Sequence, residues 1–155
     1  MYGSLNMSRV VELKPFAGGE ASVELEGSSA GTAPLFDFWA GGELSVADTE
    51  FRNFKESVFY MAQPSTSLTL DNCNVTGNAA SLYGAGVYCD SCDKVTITDS
   101  ILSNNVATLR GAAIYAYGTA QPVLITGTAM RNNSLDYYEG AVRRRMPRNL
   151  CLFVF

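Results

Sequence analysis

The stretch GAAIYAY, residues 111–117, restates GAGVYCD, residues 84–90, at an offset of 111 − 84 = 27 positions. The same step governs much of the chain. Phe38, Tyr60, Tyr88 and Tyr115 each close a short extended run: LFDF, SVFY, AGVY and AAIY. A second β-rich run follows each of them: LSV (44–46), LTL (68–70), VTI (95–97) and VLI (123–125). A third comes after a polar pair: EFRNF (50–54), NVTGN (74–78), ILSNN (101–105) and AMRNN (129–133). Asn78, Asn105 and Asn133 are spaced by 27 and 28 residues. Three independent columns on one period mark a repeat array, in which each unit buries its apolar face against the next.

Each unit contains three strand-like pieces with apolar residues at alternate positions and no 3.6-residue helical pattern. That describes the coil of a parallel β-helix, whose equivalent strands stack about 4.8 Å apart with backbone hydrogen bonds along the axis. Leu44/Val46, Leu68/Leu70, Val95/Ile97 and Val123/Ile125 are then expected to face inward, as are Phe51, Val75, Leu102 and Met130. Ser45, Thr69 and Thr96 are expected to face water. The glycine that opens GAGVY and GAAIY falls where the chain enters a new coil, a place that favours positive φ or a close backbone approach. Asn78, Asn105 and Asn133 are expected to form a structural ladder, since an amide one coil above another can bond to it or to the turn backbone.

The pattern divides the chain into an irregular first coil or N-terminal cap (1–33), β-helix repeats (34–142) and a basic and apolar tail outside the fold (143–155). The tail RRRMPRNLCLFVF fits no column, which points to a fragment of a longer protein or a disrupted reading frame. Apolar residues make up 47% and charged residues 17%, a composition that excludes intrinsic disorder. A net charge of −4 argues against a nucleic-acid surface. No apolar run reaches the length of a transmembrane helix, and MYGSLNMSRVVELKPF lacks the pattern of a signal peptide. Histidine is absent, which removes the commonest general base and metal ligand.

The stretch GAGVY…VTITDSILSNN…GAAIY…VLITGTAMRNN resembles the repeats of the polymorphic outer-membrane protein family, and more broadly the right-handed parallel β-helix proteins of the pectin-lyase-like superfamily. That family's glycine–glycine–alanine–aliphatic signature is approximated by Gly84-Ala85-Gly86-Val87 and Gly111-Ala112-Ala113-Ile114. Its aromatic-x-x-asparagine signature is approximated by Val75…Asn78, Leu102…Asn105 and Met130…Asn133, while Phe51…Phe54 keeps the aromatic and loses the amide. The resemblance implies a right-handed coil and a secreted or surface-displayed passenger, often adhesive. Right-handed crossovers are also the general rule for parallel strands.

Candidate sites are few. Cys89-Asp90-Ser91-Cys92 lacks the second pair or the histidines of a zinc site, and a coil turn is not the helix N-terminus of a thioredoxin-like site. Structural cysteines are expected: a disulfide between Cys89 and Cys92, or from Cys73 to one of them. Asn74 and Asn132 head glycosylation sequons, as does Asn6. Tyr60, Tyr88 and Tyr115, with Phe38 placed in the same column, form either a strip for stacking on sugar rings or a column that stabilises the coils. Asp48, Asn72, Asp99 and Gly127 align at one turn, where two acids about 10 Å apart approach the spacing of inverting glycosidases; turn residues are expected there in any case. None of Arg52, Arg110 and Arg131 has an evident acidic partner.

The reading is an all-β, right-handed parallel β-helix of about four coils with three short strands per coil. No catalytic residue, metal or cofactor is assigned. The function expected is a non-catalytic module of a secreted or cell-surface protein that binds a surface glycan or protein, with neighbouring coils in a longer parent chain. The alternatives are a fragment of a β-helix polysaccharide lyase or glycoside hydrolase, and a structural spacer. An acidic cluster on one face would favour the enzyme, an exposed aromatic strip the binding module, and smooth polar faces the spacer.

Overall fold

The computed structural model describes residues 5–7, 10–13, 23–27, 33–139, 142–146 and 152–154. Their regular structure is entirely β, arranged in stacks that run along one axis. The first sheet stacks Leu5–Met7, Phe36–Phe38, Phe59–Met61, Val87–Asp90, Ile114–Tyr117 and Leu152–Val154. The second stacks Val10–Leu13, Glu43–Ala47, Ser67–Asp71, Lys94–Thr98 and Leu124–Thr126. The third stacks Val23–Glu26, Thr49–Arg52, Asn74–Thr76, Ile101–Ser103 and Ala129–Arg131. Every pairing in these three sheets is parallel, and the register reproduces the repeat: Val46, Leu70, Ile97 and Ile125 stack in one file, Phe51, Val75, Leu102 and Met130 in another. Four full coils lie between Phe36 and Glu139, preceded by three strands that pair in parallel with the first of them.

Two features differ from the sequence reading. A fourth, short sheet joins Ala79–Ala80, Val106–Ala107 and Ser134–Glu139 in parallel. It directly follows the asparagine corner, and two residues are too few to leave a readable alternation. The second concerns 143–155, expected to lie outside the fold. Val142–Met146 returns antiparallel on Ser134–Glu139, and Leu152–Val154 adds to Ile114–Tyr117. Both strands occupy an edge that a solenoid otherwise leaves unpaired.

The interior is apolar and tightly filled. Leu44, Val46, Leu68, Leu70, Val95 and Ile97 are buried, as are Phe51, Val75 and Leu102. Phe36 and Phe59 stack at 5.3 Å, and Phe51 meets both rings edge-on. In the last coil Val123, Ile125 and Met130 are only partly buried, because no described strand covers them in the second and third sheets. Gly84 and Gly111 have φ of 55° and 56°, and a Cβ on either would lie 2.3 Å from the carbonyl oxygen three residues on. Both demands foreseen for the opening glycine, positive φ and close approach, hold at once.

Polar side chains satisfy the corners. The Asn78 side-chain amide donates to Asn105 Oδ1 at 3.1 Å, and that of Asn105 to Asn133 Oδ1 at 3.0 Å. Each amide also donates one coil back, to the carbonyls of Phe51, Val75 and Leu102. In return the side-chain oxygens accept the backbone N–H of the preceding coil, from Phe54, Asn78 and Asn105. The three amides are buried. A second file, unread in the sequence, runs through Thr49, Cys73, Ser100 and Thr128. Each donates to the carbonyl two residues before it, at 2.6–3.3 Å. Cys73 and Ser100 also donate their backbone N–H to the hydroxyl one coil on. Cys73 thus stands in a hydroxyl file as a soft donor, and burial raises its thiol pKa.

Two stability measurements test these files. Asn105→Ala strands two N–H donors of Asn78 and the Val75 carbonyl in the interior, and denaturant unfolding is expected to show a loss of about 3 kcal/mol. Cys73→Ser keeps the donor and its carbonyl partners, and is expected to change stability by less than about 1 kcal/mol.

A candidate binding face on the first sheet

Strands of the first sheet turn alternate residues toward the core, so the intervening ones share the outer face. The register sets Asp37 against Tyr60, Tyr60 against Tyr88, and Tyr88 against Tyr115. Phe38, placed with the tyrosines in the sequence, instead pairs with Met61 and is buried. Residue type alone aligns the aromatic ends of LFDF and SVFY. The Phe-Asp-Phe alternation, which buries Phe36 and Phe38, decides the register and turns Asp37 outward.

The tyrosines form a continuous stack. Tyr60 and Tyr88 lie 4.8 Å apart at 8°, and Tyr88 and Tyr115 5.3 Å apart at 12°. Tyr83, from the turn before the strand, lies 4.7 Å from Tyr115 and 6.1 Å from Tyr88. The spacing of coils is close to the stacking distance of aromatic rings, so identical residues in one file stack without adjustment. Tyr60 and Tyr88 are half-buried and Tyr115 is 9% exposed. Both faces of Tyr88 are covered by neighbouring rings. The face of Tyr60 turned toward Asp37 meets no ring in register.

Around the stack the charge is mainly negative. The Tyr88 hydroxyl donates to Asp90 Oδ2 at 3.4 Å. Burial, and then the charges of Asp37, Asp90 and Glu56, raise the Tyr60 pKa. Burial first and Asp90 second push Tyr88 up to about 12. Tyr115 is raised by burial and by Asp90, with Arg110 acting in the opposite sense. Tyr117, 47% exposed, stands two residues beyond Tyr115 on its strand, and Trp39, 57% exposed, directly follows the strand that holds Asp37.

The other candidates fall elsewhere. Cys89 and Cys92 are joined by a disulfide, with Cα atoms 5.6 Å apart across a turn in which Ser91 has a φ of 62°. Cys73 is free and buried. Asn74 faces outward and is half-buried, while Asn132 is exposed in a left-handed turn. Asp48, Asn72, Asp99 and Gly127 all have positive φ, and Asn72 donates to Asp48 Oδ1 at 2.6 Å. Arg52 has an acidic partner after all: Glu26, opposite it in register, at 3.3 Å. The signal for that pair lay in the first coil, whose strands carry no copy of the repeat signatures. The sequence reading also missed Tyr83, Trp39 and Asp37 as members of the outer face. Tyr83 lies outside the three strand-like pieces of its unit, and the other two were hidden by the misplaced Phe38. Among the described residues no group of three or more acidic or cysteine side chains is placed to hold a metal ion.

A family model for the right handed beta helix region matches residues 20–141. The chain belongs to that family. No curated protein and no solved structure matches it. The beta helix family assigns the hand of the coil, which the spacing alone does not. It leaves open which outer face of this beta helix is used.

The raised tyrosines make the beta helix sensitive to alkali. The folded chain keeps its phenol protons after the unfolded chain begins to lose them near pH 10, the ordinary tyrosine value. The stability of the neutral stack is therefore complete below pH 10 and is lost as pH rises toward about 12. A phenolate absorbance titration is expected to show late-titrating tyrosines and the onset of unfolding in that range. Tyr88→Phe, which removes the phenol that is raised furthest, is expected to move the onset to higher pH.

Proposed function

We propose that the chain is a non-catalytic binding module of a secreted or cell-surface protein, and that the outer face of the first sheet is the surface it presents. The observation that carries this reading is the tyrosine stack Tyr60–Tyr88–Tyr115 bordered by exposed Trp39 and Tyr117. Large exposed aromatics on a rigid face are characteristic of recognition surfaces, because they bring contact area at low entropic cost. The central outer file of the second sheet carries small hydroxyl side chains, Ser45, Thr69 and Thr96, before it reaches exposed Leu124, and it holds no aromatic residue.

Two further features support display outside the cell. The disulfide Cys89–Cys92 suits an oxidising compartment. The resemblance of the repeats to the polymorphic outer-membrane proteins points to a surface passenger with an adhesive role. Against the enzyme alternative stands the left-handed turn at Asp48, Asn72, Asp99 and Gly127, which accounts for those residue types by backbone conformation.

The test immobilises the chain against printed neutral and acidic glycans and a panel of synthetic peptides of graded charge. Wild type is expected to retain a ligand, and a Trp39→Ser/Tyr117→Ser double variant with unchanged circular dichroism to lose at least about tenfold in affinity. Binding that survives the double variant would assign it to another face, and no binding at all would favour a spacer. Release of unsaturated or reducing ends from acidic or neutral polysaccharides would move the reading to the lyase or hydrolase alternative.

A further inference from the structure

The outer face is not uniform along its length. The tyrosine file stacks Tyr60 on Tyr88 and Tyr88 on Tyr115, while the side of Tyr60 that faces the preceding coil meets no ring in register. There the file continues as Asp37. Asp37 lies between two buried phenylalanines, so its side chain is held outward by the strand itself. No described residue hydrogen-bonds or pairs with its carboxylate, and burial alone raises its pKa above the ordinary aspartate value. Trp39, 57% exposed, follows two residues on, just past the end of the strand, where its carbonyl accepts the N–H of Gly42 at 2.8 Å. Tyr60 stands one coil above, about 4.8 Å away. A half-buried carboxylate that accepts no hydrogen bond from the described residues thereby has a tyrosine opposite it in the next coil and the single tryptophan of the chain two residues on in sequence. Glu56 and Asp90 add negative potential at the Tyr60 hydroxyl.

We infer that Asp37, Trp39 and Tyr60 form a receptor for one cationic group, the guanidinium or ammonium of an arginine or lysine in a basic segment of a protein partner. The chemistry of the three side chains is complementary to such a group. The carboxylate accepts its charged N–H donors, and the open ring faces attract the cation through their quadrupoles. A guanidinium suits the site best, because it stacks on a ring while its edge donates to an acid. A neutral sugar finds fewer partners: the faces of Tyr88 are already covered, and the surrounding carboxylates offer acceptors only. The net charge of −4 steers a basic segment toward the chain from a distance. This inference rests on the reading of the first sheet's outer face as the binding surface, and names the partner of that face.

Trp39 is the natural reporter. A short peptide with two arginines is titrated against the full chain and followed by tryptophan fluorescence, beside the same peptide with citrulline at both positions and a neutral tetrasaccharide. Citrulline keeps the shape of arginine and removes the charge. The arginine peptide is expected to shift Trp39 emission saturably, to weaken as salt is raised, and to bind about tenfold more tightly than the citrulline peptide. Asp37→Asn, a near-isosteric change, is expected to lose a similar factor, with circular dichroism unchanged. Equal binding of the two peptides, tighter binding of the tetrasaccharide, or no response of Trp39 to the arginine peptide would each overturn the inference, and none of these readouts depends on a variant folding. The two levels separate cleanly. Ligand binding that needs Trp39 and Tyr117 but is indifferent to Asp37 removes the cation site and leaves the binding face standing. Binding indifferent to all three removes both.

Discussion

Backbone hydrogen bonds of the three long parallel sheets run from coil to coil, along the axis rather than within a unit. No coil can satisfy its own amides, so its neighbours must arrive in a single register. The buried asparagines impose that register. At each corner a backbone N–H has no strand partner and donates instead to the side-chain oxygen of the next coil, as Asn78 does to Asn105. A slip by one residue would turn every core side chain outward and leave those amides unsatisfied as well. Register is therefore set twice over, by apolar alternation along the strands and by buried amides at the turns.

The outer face follows from the same constraint. Because equivalent positions stack near 4.8 Å, a tyrosine in one coil meets the tyrosine of the next at ring-stacking distance, and a residue of another kind makes a gap. Asp37 is such a gap. It exists because the coil that begins at Phe36 keeps the inward Phe36 and Phe38 while placing a carboxylate between them. A solenoid writes its surface as columns, and a single departure in a column is sufficient to create a local site on an otherwise regular face.

Most of the architecture was legible in the sequence, for a physical reason. Repetition supplies several readings of each position, so the core files, the asparagine ladder and the left-handed glycines were set by agreement between units. Single occurrences were less legible. The strands before Phe36 carry none of the repeat signatures, and the pairing of Glu26 with Arg52 lay among them. The two-residue strands Ala79–Ala80 and Val106–Ala107 are too short to alternate. Thr49, Cys73, Ser100 and Thr128 form one file that escaped notice because it mixes three residue types. What they share is a short side chain with a polar hydrogen, able to reach the carbonyl two residues back.

The candidate face was partly legible, and its misreading is instructive. Matching aromatic to aromatic put Phe38 beside Tyr60, although alternation within LFDF already required both phenylalanines to share a side. Residue type suggested one register and burial another, and burial prevailed, because exposing two phenylalanines costs more than breaking an aromatic column. The consequence reaches function. Corrected by one residue, the column passes from the rings to a carboxylate rather than to a fourth ring, and then to Asn6 in register, so that an acidic residue borders the aromatic strip. On the proposed reading, affinity for flat apolar or sugar surfaces would draw on the whole strip, whereas discrimination by charge would reside at Asp37. The two properties would then be carried by different coils of one stack and be separable by mutation.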